Sequence, residues 1–345
     1  MGIEGEFKPL VSVVVCTRRR YKYLRDLLES LKKQVFRDFE VIIVEDSEDA
    51  DHKLKVMELA KEFSKYLKVK VLLNASNLGI PVSLNRGISE ARGDIIAFTD
   101  DDCIADRLWL KRLIKWYKDP GVGGVGGKVV PVEEDLRWSR RDFKVRALVG
   151  KVTWDGDIIS NFDLGEEVIY VDCLPGANMS FRKDIIMKLG GFSPIYRGNA
   201  YRFETDLCLK VKKMSYKIIY DPKAVIFHRR AKDGGARMSV YNWNYWFARN
   251  HLLLILSNFN FKALKVIIFV LKQLTRILKR ERACPYANPK DWRLVLIKFL
   301  RGVKDGIKEY LRSLRPNGSY MYRASLIIRD ADLTAISLRE EERNS

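Results

Sequence analysis

Cysteine is scarce and scattered. Cys16, Cys103, Cys173, Cys208 and Cys284 are odd in number and show no C-x-x-C spacing, which argues against a disulfide framework and a zinc site and fits a reducing, cytoplasmic compartment. No G-x-x-x-x-G-K-[ST] sequence occurs, so a P-loop is absent. The opening residues, MGIEGEFKPL, lack the basic and apolar regions of a secretory signal, and Glu6 stands where a myristoylation pattern wants Ser or Thr. There is no low-complexity tract. The most apolar stretch, HLLLILSNFNFKALKVIIFVLKQL, is interrupted by Asn258, Asn260, Lys262 and Lys265, whereas a membrane span needs about 20 predominantly apolar residues.

What is present is a substantial core and a large positive charge. With 47% hydrophobic residues in 345, a catalytic domain plus an appendage is expected, disorder being confined to ends such as LREEERNS. The formal charge is +19, which suggests a polyanionic partner. Its distribution is local: fifteen Lys or Arg face four acids between Phe261 and Arg315. No zinc-finger spacing or RNP-like motif accompanies it, and large aliphatics rather than interleaved aromatics back the cations, so no nucleic-acid partner is expected.

The first 130 residues alternate β-branched runs (VSVVVCT, FEVIIVED, VKVLLN, DIIAFTDDD) with amphipathic helical patterns. That rhythm predicts βαβ units and an α/β fold with a mostly parallel, Rossmann-like sheet covered by helices on both faces. Ligands bind such sheets at the carboxyl ends of the strands, which makes CTRRR, EDSED, NASNLG and TDDDC the segments to examine. GVGGVGG is a weak phosphate signal and reads better as close backbone packing in a strand. The irregular stretch from Val132 to Tyr170 reads as loops and short strands over that edge.

Asp100, Asp101 and Asp102 pose an electrostatic problem. At about 4 Å, two like charges repel by roughly 4 kcal/mol at an effective dielectric near 20. Two readings stand: a helix N-terminus, which welcomes carboxylates, or carboxylates at a strand end that hold Mg²⁺ or Mn²⁺ while phosphates and waters complete the shell.

From Tyr241 onward long helical patterns take over. In FKALKVIIFVLKQLTRILKR, Lys262, Lys265, Lys272, Arg276, Lys279 and Arg280 fall within a sector of about 100°, and the rest of the arc is almost wholly apolar. WRLVLIKFLRGVKDGIKEYLRSLR repeats the pattern, with its cations from Arg293 to Arg315 inside about 140°. Three arrangements are open: a helix pair lying on an anionic membrane surface, packing against the catalytic domain or a second copy of the chain in a homo-oligomer, or a true span. The expected layout is a catalytic domain over 1–240, a basic amphipathic helical region over 241–330 and a tail over 331–345.

The ordered series VSVVVCT, FEVIIVEDSED, NLGIPVSLNRGISEARGDIIAFTDDDC, GANMSFRKDIIMKLGGF and ETDLCLKVKKMSYKIIYDPKAVIFH resembles family 2 glycosyltransferases, inverting, nucleotide-sugar-dependent enzymes of the GT-A fold. The resemblance covers about the first 250 residues. It implies that Thr17 and Asp46 line a nucleoside pocket, that Asn77 and Gly79 shape the loop beside it, and that Asp100 and Asp102 occupy the acidic places of the Asp-x-Asp motif, facing a metal and the ribose-diphosphate. Asp101 either contributes or is merely solvated. Glu204 matches the catalytic base and Asp206 the supporting acid. His228 is read either as structural or as a ligand to metal or diphosphate, and Asn178 either as a turn former or as a contact to sugar hydroxyls.

Two departures from the family pattern stand out: Leu84 replaces an arginine that contacts the nucleotide, leaving Arg86 as its candidate substitute, and Glu45 replaces the first Asp of the strand-two pair. The expected activity is transfer of a sugar from a nucleotide-sugar donor to a glycan or lipid-linked acceptor, dependent on Mn²⁺ or Mg²⁺, at the inner face of the cell membrane. A nucleotidyltransferase and a non-catalytic glycosyltransferase-like scaffold are the alternatives.

Overall fold

The computed structural model describes residues 8–132, 148–281, 284 and 288–314. Arg315, the tail 331–345 and the early part of the irregular stretch after Val132 lie outside the described residues. In chain order the elements are β1 (Val11–Thr17), α1 (Tyr21–Lys32), β2 (Phe39–Glu45), α2 (Ala50–Phe63), β3 (Lys68–Leu73), α3 (Ile80–Glu90), β4 (Ile95–Phe98), β5 (Cys103–Ala105), α4 (Trp109–Ile114) and β6 (Val122–Pro131). They continue with β7 (Lys151–Val152), β8 (Ile158–Ile159), β9 (Ile169–Tyr170), β10 (Met179–Arg182), α5 (Lys183–Lys188), α6 (Phe203–Lys213) and β11 (Lys217–His228). The last three are α7 (Val240–Asn258), α8 (Lys262–Leu278) and α9 (Trp292–Ser313).

The main sheet runs β3-β2-β1-β4-β10-β6-β11-β5, with β9 also paired to β11. β1 is parallel to both β2 and β4, and β2 to β3. These strands are apolar on both faces because both faces are covered: Val13 and Val15 pack with α1 residues Leu24, Leu27, Leu28 and Leu31, while Val14 packs with Leu84 and Ile88 of α3. The 3-4 spacing of the α1 leucines is what a helix needs to bury one stripe. β10 enters antiparallel between β4 and β6, and β11 then runs parallel to β6.

The glycine-rich strand β6 owes its composition to this crossing. A Cβ on Gly126 would lie 2.5 Å from the Asn178 carbonyl oxygen, and one on Gly127 1.9 Å from that of Ala224. Strand packing, not phosphate binding, accounts for these two glycines.

Strand order reverses at β1, whose neighbours are β2 on one side and β4 on the other. The carboxyl ends of β1, β2 and β4 therefore splay apart around a crevice, the position at which open α/β sheets take ligands.

Candidate active site

The crevice holds a cavity of about 360 Å³, lined by Thr17, Asp46, Asn77, Gly79, Asp100, Asp101, Asp102 and His228, and by the segments at Gly198–Asn199 and Gly235–Met238. β1, β2 and β4 deliver the first residues. β11 brings His228 across because it pairs antiparallel with β5, which puts His228 opposite Cys103.

The three aspartates divide their work. Asp101 is buried, accepting from Thr17 Oγ1 at 2.8 Å and from Arg20 Nη1 at 3.1 Å. Burial pushes its carboxyl upward, against the pull of Arg20. Asp102 is also buried, and its Oδ2 accepts from the Ala231 amide at 2.8 Å and from Arg20 Nη1 at 3.3 Å. Its Oδ1 lies 3.0 Å from His228 Nε2 yet has no aligned hydrogen bond. Burial opposes ionisation of Asp102, but His228, Arg20 and the Ala231 amide outweigh it and hold the carboxyl well below the usual range. Asp100 is exposed, with Oδ2 4.0 Å from His228 Nε2. Burial would lower the imidazole's pKa, yet Asp102 and then Asp100 raise it.

Asp100, Asp102, Cys103 and His228 place one potential ligand atom each within 4.8 Å of one another. Cys103 is buried, and burial with its aspartate neighbours keeps its thiol protonated. The remaining O, O, N set, together with the buried Asp102 oxygen that has no aligned hydrogen bond, fits a hard divalent cation.

The nucleoside side is organised by Asp46. Its Oδ1 accepts from Asn74 Nδ2 at 2.8 Å and from the Leu78 amide at 2.7 Å, and its Oδ2 from the Gly79 amide at 2.9 Å. One carboxylate thus folds the Asn77–Gly79 turn against the cavity. Gly79 has φ +86° with open space around an added Cβ, so backbone conformation alone asks for glycine there.

The sequence profile described as Glycosyl transferase family 2 matches residues 12–190. The chain belongs to that family. A glucosyl-dolichyl phosphate glucuronosyltransferase of Haloferax volcanii is 27% identical over 227 residues, which are 64% of this chain and 69% of that one. An uncharacterized glycosyltransferase of Methanocaldococcus jannaschii is 40% identical over 113 residues, 32% of this chain and 37% of its own. The chain spans less than two thirds of the length of several such relatives, 25% to 56% of four of them.

Among solved structures, a mannosyltransferase from Pyrobaculum calidifontis in complex with GDP-Man and Mn²⁺ superposes with a TM-score of 0.54 at 17% identity, covering 96% of this chain and 88% of that one. S. aureus TarS 1-349 in complex with UDP-GlcNAc gives 0.57 at 18%, covering 93% and 88%. The fold of this glycosyltransferase is GT-A.

Within the glycosyltransferase several expected site residues have their polar groups engaged elsewhere in the fold. Asn178 is fully buried away from the cavity lining; its Nδ2 donates to the Lys128 and Ala224 carbonyls and its Oδ1 accepts from Trp109 Nε1, leaving nothing for a sugar. Arg86 does not line the cavity. Its Nη1 donates to the Leu73 carbonyl and Asn74 Oδ1, so it braces the residue that braces Asp46. Asp206 is buried in an ion pair with Lys210 at 2.6 Å and accepts from Asn258 Nδ2 at 2.7 Å, tying α6 to α7. Asp101 is neither solvated nor a free ligand. Thr17 lines the cavity, but its hydroxyl is committed to Asp101. Glu45 is buried beneath the site, accepting from Ser47 Oγ.

Glu204 stands in the first turn of α6, half-buried, directly after the cavity residue Phe203. Burial pushes its carboxyl up to about 7, the charge of Arg202 opposing and that of Asp100 assisting.

Arg18, Arg20 and Arg237 line the cavity; the sequence marks Arg18 and Arg20 only as part of the strand-end segment CTRRR, and Arg237 not at all. Arg20 Nε and Nη2 donate to the Asp233 and Gly234 carbonyls, clamping the loop after His228 onto the end of β1. The run of three arginines at a strand end, and the pair Gly234–Gly235 after His228, were the available signals. A Cβ on Gly234 or Gly235 would collide with Arg20, and both have positive φ.

Proposed function

We propose that this glycosyltransferase is metal-dependent and inverting, moving a sugar from a nucleotide-sugar donor to a hydroxyl of a glycan or lipid-linked acceptor. The observation that carries this reading is the cluster of Asp100, Asp102 and His228 in the cavity, where the buried Asp102 Oδ1 faces His228 Nε2 at 3.0 Å without an aligned hydrogen bond, with Phe203, the neighbour of Glu204, in the cavity lining. Asp100, Asp102 and His228 would hold Mn²⁺ or Mg²⁺. Bound there, the ion would neutralise charge developing on the departing nucleoside diphosphate.

The chain's own residues supply the rest. Arg20 keeps Asp101 and Asp102 ionisable side by side in a buried place. The Asp46-held turn gives the nucleoside a shaped wall, and Arg18 and Arg237 add positive charge for phosphates. Glu204, poised at about 7, takes the proton of the acceptor hydroxyl as the new bond forms at the anomeric carbon and the bond to the diphosphate oxygen breaks. The solved complexes of the GT-A neighbours with GDP-Man and Mn²⁺ and with UDP-GlcNAc support donor class and metal. The name of the Haloferax relative, which includes a dolichyl phosphate, supports a lipid-linked acceptor.

A panel of nucleotide-sugars with Mn²⁺ or Mg²⁺, read by thermal shift and by donor turnover, tests this. Asp102→Ala should abolish the metal-dependent thermal shift. Glu204→Gln should keep donor binding and lower turnover by roughly 10²- to 10⁴-fold. Full turnover in both variants would sink the mechanism.

A further inference from the structure

α8 and α9 bury one ridge each against α7: Phe269 and Ile277 from α8, and Val295, Phe299, Gly302 and Gly306 from α9. Each leaves a second apolar stripe in the open. On α8 it consists of Leu264, Ile267, Leu271 and Leu278, 47% to 75% exposed; on α9, of Ile297, Leu300, Ile307 and Leu311. Spacings of three, four and seven put each set on one face.

The two helices run antiparallel, since Lys262 at the start of α8 donates to Tyr310 near the end of α9, and the Phe269 and Phe299 rings lie 6.0 Å apart. Turning about 100° per residue from that seam, each helix presents first its apolar stripe and then exposed cations. Those on α8 are Lys272, which pairs with Asp155, and Lys279; on α9, Arg301 and Lys308 flank the stripe and Lys304, at three-, four- and seven-residue spacing from its members, stands within it. Because the helices are antiparallel, the same rotation carries both stripes to one side, away from α7. The result is an apolar band edged by positive charge, with Lys304 within it. No helix among the described residues is long and apolar enough to cross a membrane.

We infer that this band is a docking surface for an anionic lipid bilayer, with α8 and α9 lying in the interface. Apolar residues enter the acyl boundary while the rims meet anionic headgroups. A second copy fits less well, because an isologous pair would bring rims of the same sign together. The surface is also linked by contacts to the start of α6. Lys272 pairs with Asp155, and Lys265 lies over the Trp154 ring, both in the β7–β8 hairpin. Asp157 of that hairpin is 3.8 Å from Arg202, which precedes Phe203 and Glu204. Bilayer docking would therefore place the proposed base near a lipid-linked acceptor, a step that rests on the function proposed above.

Co-sedimentation with vesicles of phosphatidylcholine, alone or with about one third phosphatidylglycerol, tests the surface directly. The full chain should bind the anionic vesicles at least about tenfold better than the neutral ones, and Ile267→Asp with Leu271→Asp, or Arg301→Glu with Lys304→Glu, should each lower binding about tenfold or more. Hydrolysis of a soluble donor and the melting temperature should stay at wild-type levels, showing an intact fold. Equal binding of variants and wild type overturns the inference. So does a lipid-free dimer that these substitutions dissolve in a protein that ignores vesicles. Vesicle binding without donor turnover would count against the enzymatic proposal and leave the surface standing.

Discussion

Glu204 and Arg20 show how single side chains set the chemistry of the cavity. A base must be ionised to accept a proton, and burial places the Glu204 carboxyl at about 7. Turnover should rise about tenfold per pH unit on the acid side and level off above about pH 8. Glu204→Gln should flatten that limb, and a wild-type profile already flat from about pH 5 to 9 would remove Glu204 from the role.

Arg20 matters through what it neutralises. Its guanidinium, 8% exposed, meets two nearly inaccessible carboxylates. Removing one partner of such a buried group typically costs 3–5 kcal/mol, because the charge left behind has no water to replace it. Arg20→Leu should lower stability by about that amount in urea unfolding. Arg20→Lys should recover only part, since one ammonium cannot also reach the Asp233 and Gly234 carbonyls held by the guanidinium fork. The acids at strand ends were legible in sequence because repulsion among three aspartates demands an explanation. Their partner was not, because Arg20 is 81 residues from Asp101 and only the sheet order makes them neighbours.

At the scale of elements, α9 shows two principles at once. Its glycines, Gly302 and Gly306, are four residues apart and face α7; a Cβ on Gly302 would stand 2.3 Å from the Tyr245 carbonyl oxygen, and one on Gly306 3.0 Å from that of Arg249. The close approach is what lets α9 bury Val295 and Phe299. Gly302→Ala should therefore destabilise the protein by about 1–3 kcal/mol, despite alanine's better helix propensity, with a smaller loss for Gly306→Ala. Thermal unfolding of the two variants checks the order. The wheel of cations was legible in sequence. Which apolar residues turn inward and which stay exposed was not, since both sets look alike until α7 is placed.

For the whole molecule, the parallel half β3-β2-β1-β4 follows from the alternation of apolar strands with amphipathic helices, and with it the crevice at the β1/β4 boundary. The entry of β10 antiparallel between β4 and β6 left a trace only in the glycines of β6.

The sequence by itself determined the α/β class and the strand ends where chemistry would gather, because periodicity and clustered charge are local properties of a chain, and its ordered motifs carried the resemblance to the family. Only the tertiary structure decided how each polar group's bonding capacity is used. Asn178, Arg86 and Asp206 have the residue types a sugar site needs, yet neighbours distant in sequence occupy their donors and acceptors. Asp102 keeps one buried oxygen without an aligned hydrogen bond, facing His228. A buried polar atom must find a partner or be held for one, and which of the two applies is settled by packing in three dimensions.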